Sequence, residues 1–291
     1  MPMPKDIGVI DLMMSIPISS DNHEYYEFLK SRLRDTESRE DFKMPVEYMF
    51  KDIPRTQASD DKVAWLIGEM DRFGIDKALV GGNHVDEERM AAMARYPDRL
   101  LYSYECDPNR GLDEVKQIRR LKRDFNLKAV TAFPAGTFPQ VAINDAKFYP
   151  IYATCAEEGI PFFCTTGIAG PRFPSRCQKT ELIEEVVYFF PELTFVMRHG
   201  AEPWEEMAVK LMVKFPNLYY STSAFAPKHY PRAIIDYANT RGAGKIMYAG
   251  YFPMGLSLER IFSELENVPF KDEVWPRFLR TNAMKVLGLE N

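Results

Sequence analysis

Histidine and cysteine are scarce, with four of each in 291 residues. Cys106, Cys155, Cys164 and Cys177 follow no zinc-site spacing, and a chain of this length needs no disulfide framework. Reduced thiols and a cytoplasmic setting are therefore expected. No run of 18 apolar residues occurs, which excludes an ordinary membrane-spanning helix. Long basic runs are missing too. With 37 basic and 42 acidic residues the net charge is -5, so a nucleic-acid surface has no electrostatic footprint. Met1 to Asp6 lacks the basic-then-apolar pattern of a secretory leader. No glycine fingerprint for a dinucleotide follows the first apolar run.

What is present is a rhythm. Eight short runs, apolar on both faces, begin at Ile7, Lys77, Leu100, Leu127, Ile160, Leu193, Leu218 and Lys245. That is the pattern of buried parallel strands. Between them lie amphipathic stretches, such as Leu112, Val115, Ile118, Leu121 and Phe125 at spacings of three and four. Eight strands alternating with helices predict an α/β fold, a (β/α)8 TIM barrel, over a single domain spanning 1–291. Residues 15–62 break the rhythm after the first strand. They are rich in charge and aromatics and are expected to hold short helices that form a lid or a dimer contact. The segment from Lys271 reads as a closing helix packed on the outside of the barrel.

In such barrels the chemistry sits where the strands end. Asp11 and Glu105 are candidate acids or bases there. His199 ends the sixth strand and is the sharpest single signal, because imidazole can give or accept a proton near neutral pH. Arg198 and Arg172 are candidates to hold a substrate carboxylate through paired hydrogen bonds. By strand alternation Arg198 would turn away from the site unless the strand has already ended. Thr165, Tyr251 and Asn83 complete the expected lining.

Several segments together resemble a known family. VIDLMM, LTFVMRHGAEPWEE, FPNLYYSTSA, YAGYFP and FLRTNAMKVLGL, in that order, resemble the amidohydrolase-related branch of the amidohydrolase superfamily. That branch includes aminocarboxymuconate-semialdehyde decarboxylase-like proteins. The resemblance implies a barrel enzyme with a metal held by strand-end histidines and an aspartate. Carried over residue by residue, the first histidine pair falls on Met13 and Ser15, the fifth-strand histidine on Thr165, and the eighth-strand aspartate on Tyr251 or Gly250. Only His199 is kept. The expectation is therefore a protein without metal or other cofactor, acting on a small, carboxylate-bearing cyclic or aromatic substrate.

Three functions remain open on this reading. The first is a metal-independent hydrolase with His199 as acid or base, Asp11 or Glu105 assisting, and Thr165 and Tyr251 donating to an oxyanion. The second is a decarboxylase with an atypical metal site, and the third a non-catalytic binding barrel. A homo-oligomer, most simply a dimer, is expected, with neither nucleic-acid nor membrane partners.

Overall fold

The apolar runs form strands because each can bury both of its faces. A computed structural model of the chain describes residues 3–16, 27–40, 47–50, 53–54, 61–82, 90–91 and 93–289. The strands are β1 (Val9–Met14), β2 (Ile75–Gly82), β3 (Leu100–Glu105), β4 (Ala129–Ala132), β5 (Phe162–Thr165), β6 (Phe195–Arg198), β7 (Leu218–Ser221) and β8 (Ile246–Met247). They pair in sequence order, all parallel. The expected TIM barrel is the observed fold.

Helices α1 (Glu27–Lys30) and α2 (Thr36–Glu40) lie in the segment after β1. Around the barrel follow α3 (Lys62–Arg72), α4 (Leu112–Phe125), α5 (Tyr149–Glu157), α6 (Ile183–Phe189), α7 (Glu205–Lys214), α8 (Arg232–Tyr237) and α9 (Leu258–Leu265), with α10 (Asn282–Leu287) near the end. Alternation splits the strands into two layers. Ile10, Leu12, Leu79, Leu101, Ala129, Phe163, Val196, Tyr219 and Met247 fill the interior. Their neighbours Val80, Tyr102, Val130, Phe162, Phe195, Leu218 and Ile246 face the helices.

Two expectations need correction. Leu112, read as part of the buried stripe of α4, is 66% exposed, because the helix turns Val115, Ile118 and Leu121 inward instead. The closing helix does not simply lie on the outside. Ala283, Met284 and Leu287 of α10 share one face and pack against the interior layer, so the helix plugs the floor of the barrel.

β8 is only two residues long, and its seam with β1 is closed mostly by other means. The Leu12 N–H donates to the Tyr248 carbonyl, and the Ser15 N–H to that of Phe252. Between them stands Asp11, whose Oδ1 accepts from the N–H groups of Gly250 at 2.9 Å and Met13 at 2.8 Å. Asp11 pairs in register with Ala78, which packs on the helical layer, and it lies against Tyr248 of that same layer. Its side chain thus sits in the wall of the barrel. β1 also carries one extra residue relative to β2 between Asp11 and Met14. This bulge lets Leu12 and Met13 both turn toward the interior while Met14 faces outward.

Burial raises the Asp11 pKa from 3.8 to about 7, against the pull of its hydrogen bonds to Gly250 and Met13 and of the nearby Tyr248 hydroxyl. An acid whose pKa rises on folding binds its proton more tightly in the folded chain. The stability it contributes is therefore full in acid and is lost as pH climbs through about 4 to 7. Asp11→Asn keeps the Oδ1 acceptor and abolishes the titration. Between about pH 5 and about pH 8 the melting temperature of the native protein should fall relative to that of the variant. Parallel melting curves across that range would show that Asp11 does not titrate there.

Candidate active site

The mouth of the barrel is built by residues one step above the interior layer. Val196 faces inward, so Arg198, two residues on, does as well, and it pairs in register with Thr165 of β5. The strand runs one residue further than its apolar pattern predicts, which is why Arg198 points into the barrel. The side chain is almost fully buried, and its Nη2 donates to the Sδ of Met13 at 2.9 Å. Across the mouth, Glu105 pairs in register with the buried Thr131. Burial raises the Glu105 pKa, and the nearby charge of Arg198 opposes the shift. The mouth thus brings together a permanent cation and a carboxyl group biased toward its protonated form.

His199 leaves the strand in the left-handed region, with φ of 61°, followed by Gly200 at 86° and Ala201 at 58°. A side chain on Gly200 would strike the Phe225 ring, so glycine is required there. Two non-glycine residues in this region are strained, and such strain concentrates at functional sites. The imidazole stands edge-on to Tyr251, with ring centres 5.7 Å apart. Its Nδ1 lies 3.1 Å from the Oγ of Ser223, which also accepts the His199 backbone N–H at 3.2 Å. Burial first, and then the charge of Arg198, lower the His199 pKa to about 3, so the ring is neutral at physiological pH.

The segment after β1 reaches over this mouth. Phe50 stacks on Tyr251 at 5.5 Å. Arg32 bonds the Gly136 carbonyl and lies over Phe138. The Tyr48 hydroxyl donates to the Gly170 carbonyl. Arg172, expected to bind substrate, instead bonds Asp35 at 2.6 Å and Glu37 at 3.0 Å and lies over the Tyr48 ring. It pins the segment to the loop after β5, because Asp35, just before α2, and Glu37, within it, come within its reach.

Of the residues expected at the site, Glu105, Arg198, His199, Thr165 and Tyr251 converge on the mouth. Asp11 and Arg172 are engaged elsewhere. Asn83 lies outside the described residues, as do His84 and His23. Ser223 also joins the site, through its contacts to His199, and sequence reasoning misses it. Its signal was its place two residues beyond Ser221 on the inward-facing side of β7. Among the described residues no three His, Cys, Asp or Glu side chains are grouped to hold a metal ion, and no helix is long and apolar enough to cross a membrane.

The amidohydrolase family model matches residues 36–289. An uncharacterized TIM-barrel protein from Bordetella bronchiseptica superposes with a TM-score of 0.75 at 22% identity, covering 97% of this chain and 98% of its own. A 5-carboxyvanillate decarboxylase from Novosphingobium aromaticivorans, complexed with manganese and 4-hydroxy-3-methoxy-5-nitrobenzoic acid, gives 0.67 at 14% identity, over 99% and 98% of the two chains. A 2,6-dihydroxybenzoate decarboxylase from Rhizobium gives 0.63 at 14% identity, over 97% and 98%. No curated protein sequence matches the chain.

If Arg172 pins the segment, Arg172→Ala should free it. Limited proteolysis of the variant should cut between residues 30 and 50 several-fold faster than in the native protein, since local opening sets the rate. Unchanged cleavage would mean that Phe50 and Arg32 hold the segment without it.

Proposed function

The chain belongs to the amidohydrolase family, and on that premise we propose that it is a lyase releasing carbon dioxide from a small hydroxylated aromatic acid held at the barrel mouth. The observation that carries this reading is the buried guanidinium of Arg198 facing a carboxyl group, Glu105, whose pKa is raised. The likeness to two decarboxylases of aromatic acids supports it. So does the aromatic wall of Phe50 and Tyr251 beside the mouth.

The reading ranks decarboxylation above hydrolysis, the first expectation from the sequence. Hydrolysis needs a base to take a proton from water. Glu105 is shifted toward its acid form, and an imidazole with a pKa of about 3 is a weak base. The pair suits giving a proton better than activating a nucleophile.

The described residues do not fit a manganese ion like that of the Novosphingobium enzyme. Met13, Ser15, Thr165 and Tyr251 stand where the family resemblance places ligands, and thioether and hydroxyl groups are poor donors to a hard cation. Arg198 bonds Met13 itself, so a fixed positive charge occupies the space, and a metal there would be repelled.

In this chemistry Arg198 holds the substrate carboxylate and an adjacent hydroxyl oxygen by paired hydrogen bonds. The bond from the ring carbon to the carboxylate breaks, carbon dioxide departs, and the electron pair stays on the carbon. Glu105 supplies the proton that forms the new carbon–hydrogen bond and regains one from solvent. The net change is a carboxylate and one proton converted to an arene and carbon dioxide. Negative charge that spreads toward the hydroxyl oxygen during the step remains beside Arg198.

Carbon dioxide release from a panel of hydroxybenzoates tests the reading. Turnover of at least one is expected. Arg198→Lys should lower kcat/KM by about 100-fold, because a point charge cannot replace a planar fork. Glu105→Gln should lower kcat by about 100-fold or more. The native rate should fall on the alkaline side as Glu105 ionises. Ring opening of lactones without carbon dioxide would establish the hydrolase instead, and ligand binding without turnover the binding barrel.

A further inference from the structure

Ser223 is buried completely, and its hydroxyl makes two contacts among the described residues, both to His199. The backbone N–H of His199 is a donor in every protonation state, so it uses a lone pair of Oγ. The hydroxyl still has one proton to place. The only acceptor given to it among the described residues is the Nδ1 of the same histidine. Were Nδ1 protonated, Oγ would face two donors and its own proton would be left buried without a partner, an arrangement that folded proteins avoid.

We propose that Ser223 fixes His199 as the tautomer protonated at Nε2, so that the ring offers the barrel mouth a hydrogen-bond donor and not a lone pair. Ser223 is then a positioning residue that acts through His199. The ring is anchored at its Nδ1 edge and is partly exposed, and Nε2 has no hydrogen bond among the described residues. The left-handed backbone at His199 and Gly200 holds the ring edge-on to Tyr251, which limits its rotation. Burial and the adjacent guanidinium keep it uncharged, against the pull of the Ser223 backbone, which favours the charged ring.

The ligand this arrangement takes is an anionic oxygen, carboxylate or phenolate, bridged between the Nε2–H of His199 and the guanidinium of Arg198. That assignment of substrate class rests on the decarboxylase reading above. The tautomer does not. An imidazole that ligates a metal through Nε2, or accepts a proton there, needs the opposite tautomer, with Nδ1 donating to its partner. The same serine therefore turns a position that the family resemblance gives to a metal ligand into an oxyanion donor.

The test is long-range proton–nitrogen correlation spectroscopy of the full-length protein with 15N-labelled histidine at neutral pH. His199 is assigned by the signal lost in His199→Gln. The native protein should carry the proton on Nε2 alone. Ser223→Ala should yield a mixture of tautomers, and Ser223→Thr should restore the single form, a response that a merely structural serine would not give. Should the alanine variant fail to fold, Ser223→Gly, which likewise has no side-chain donor, takes its place. A native ring protonated at Nδ1, or at both nitrogens, overturns the proposal. A pure Nε2–H form that persists in Ser223→Ala or Ser223→Gly overturns the role of the serine. Because the spectrum needs no substrate, failure of the decarboxylase assay leaves it unchanged, and the two ideas fall separately.

Discussion

A barrel must close on itself, and here one carboxyl group shares the closure with two backbone hydrogen bonds across the seam. β8 has two residues, too few to form a full ladder with β1. Oδ1 of Asp11 takes the place of the missing backbone acceptor, binding Gly250 N–H from across the seam and Met13 N–H on its own strand. Any side chain on Gly250 would press into that carboxyl group, its Cβ falling 2.7 Å from Oδ2. The bond fixes the start of the turn that carries Tyr251. Tyr251 in turn meets Phe50 on one side and His199 on the other. The position of the mouth thus descends from the way the wall is joined.

Above that seam the electrostatics are set by Arg198. A guanidinium stays charged at any physiological pH, so its neighbours adjust to it. It draws Glu105 back toward ionisation while burial pushes the other way, and it helps to keep His199 neutral. The three side chains come from β3, β6 and the turn after β6. Their protonation states are therefore properties of the closed barrel and of no single segment.

Much of this was legible in the sequence. Strands buried on both faces must be apolar at every position, and that alone located all eight. His199 stood out because a histidine after such a run sits at the mouth by construction. Alternation should also have placed Arg198, but alternation needs a known strand end, and the apolar pattern stops at Met197 while the pairing continues to Arg198. Asp11 was legible as a strand-end carboxylate but not as a seam residue, since its partner Gly250 is 239 residues away. Arg172 was misread for the same reason. A cation in a loop after β5 has no sequence signature to tell whether it faces a ligand or a carboxylate 137 residues earlier. Long-range pairing is a property of topology, and a single sequence encodes it only through the whole fold.

The extra residue in β1 has a further consequence. Side chains on a strand change face at every step, and the extra residue between Asp11 and Met14 offsets an opposite shift between Val9 and Ile10, where β2 carries the extra residue. It lets one short strand serve two compartments, with an acid in the wall and, two residues later, a thioether touching the guanidinium in the lumen. Removing one residue there would exchange the compartments, turning the acid toward the cavity or the thioether into the wall. The strand is thus intolerant of changes in length even where its composition could vary, and the separation between the group that shapes the wall and the groups that line the cavity is kept by counting rather than by chemistry.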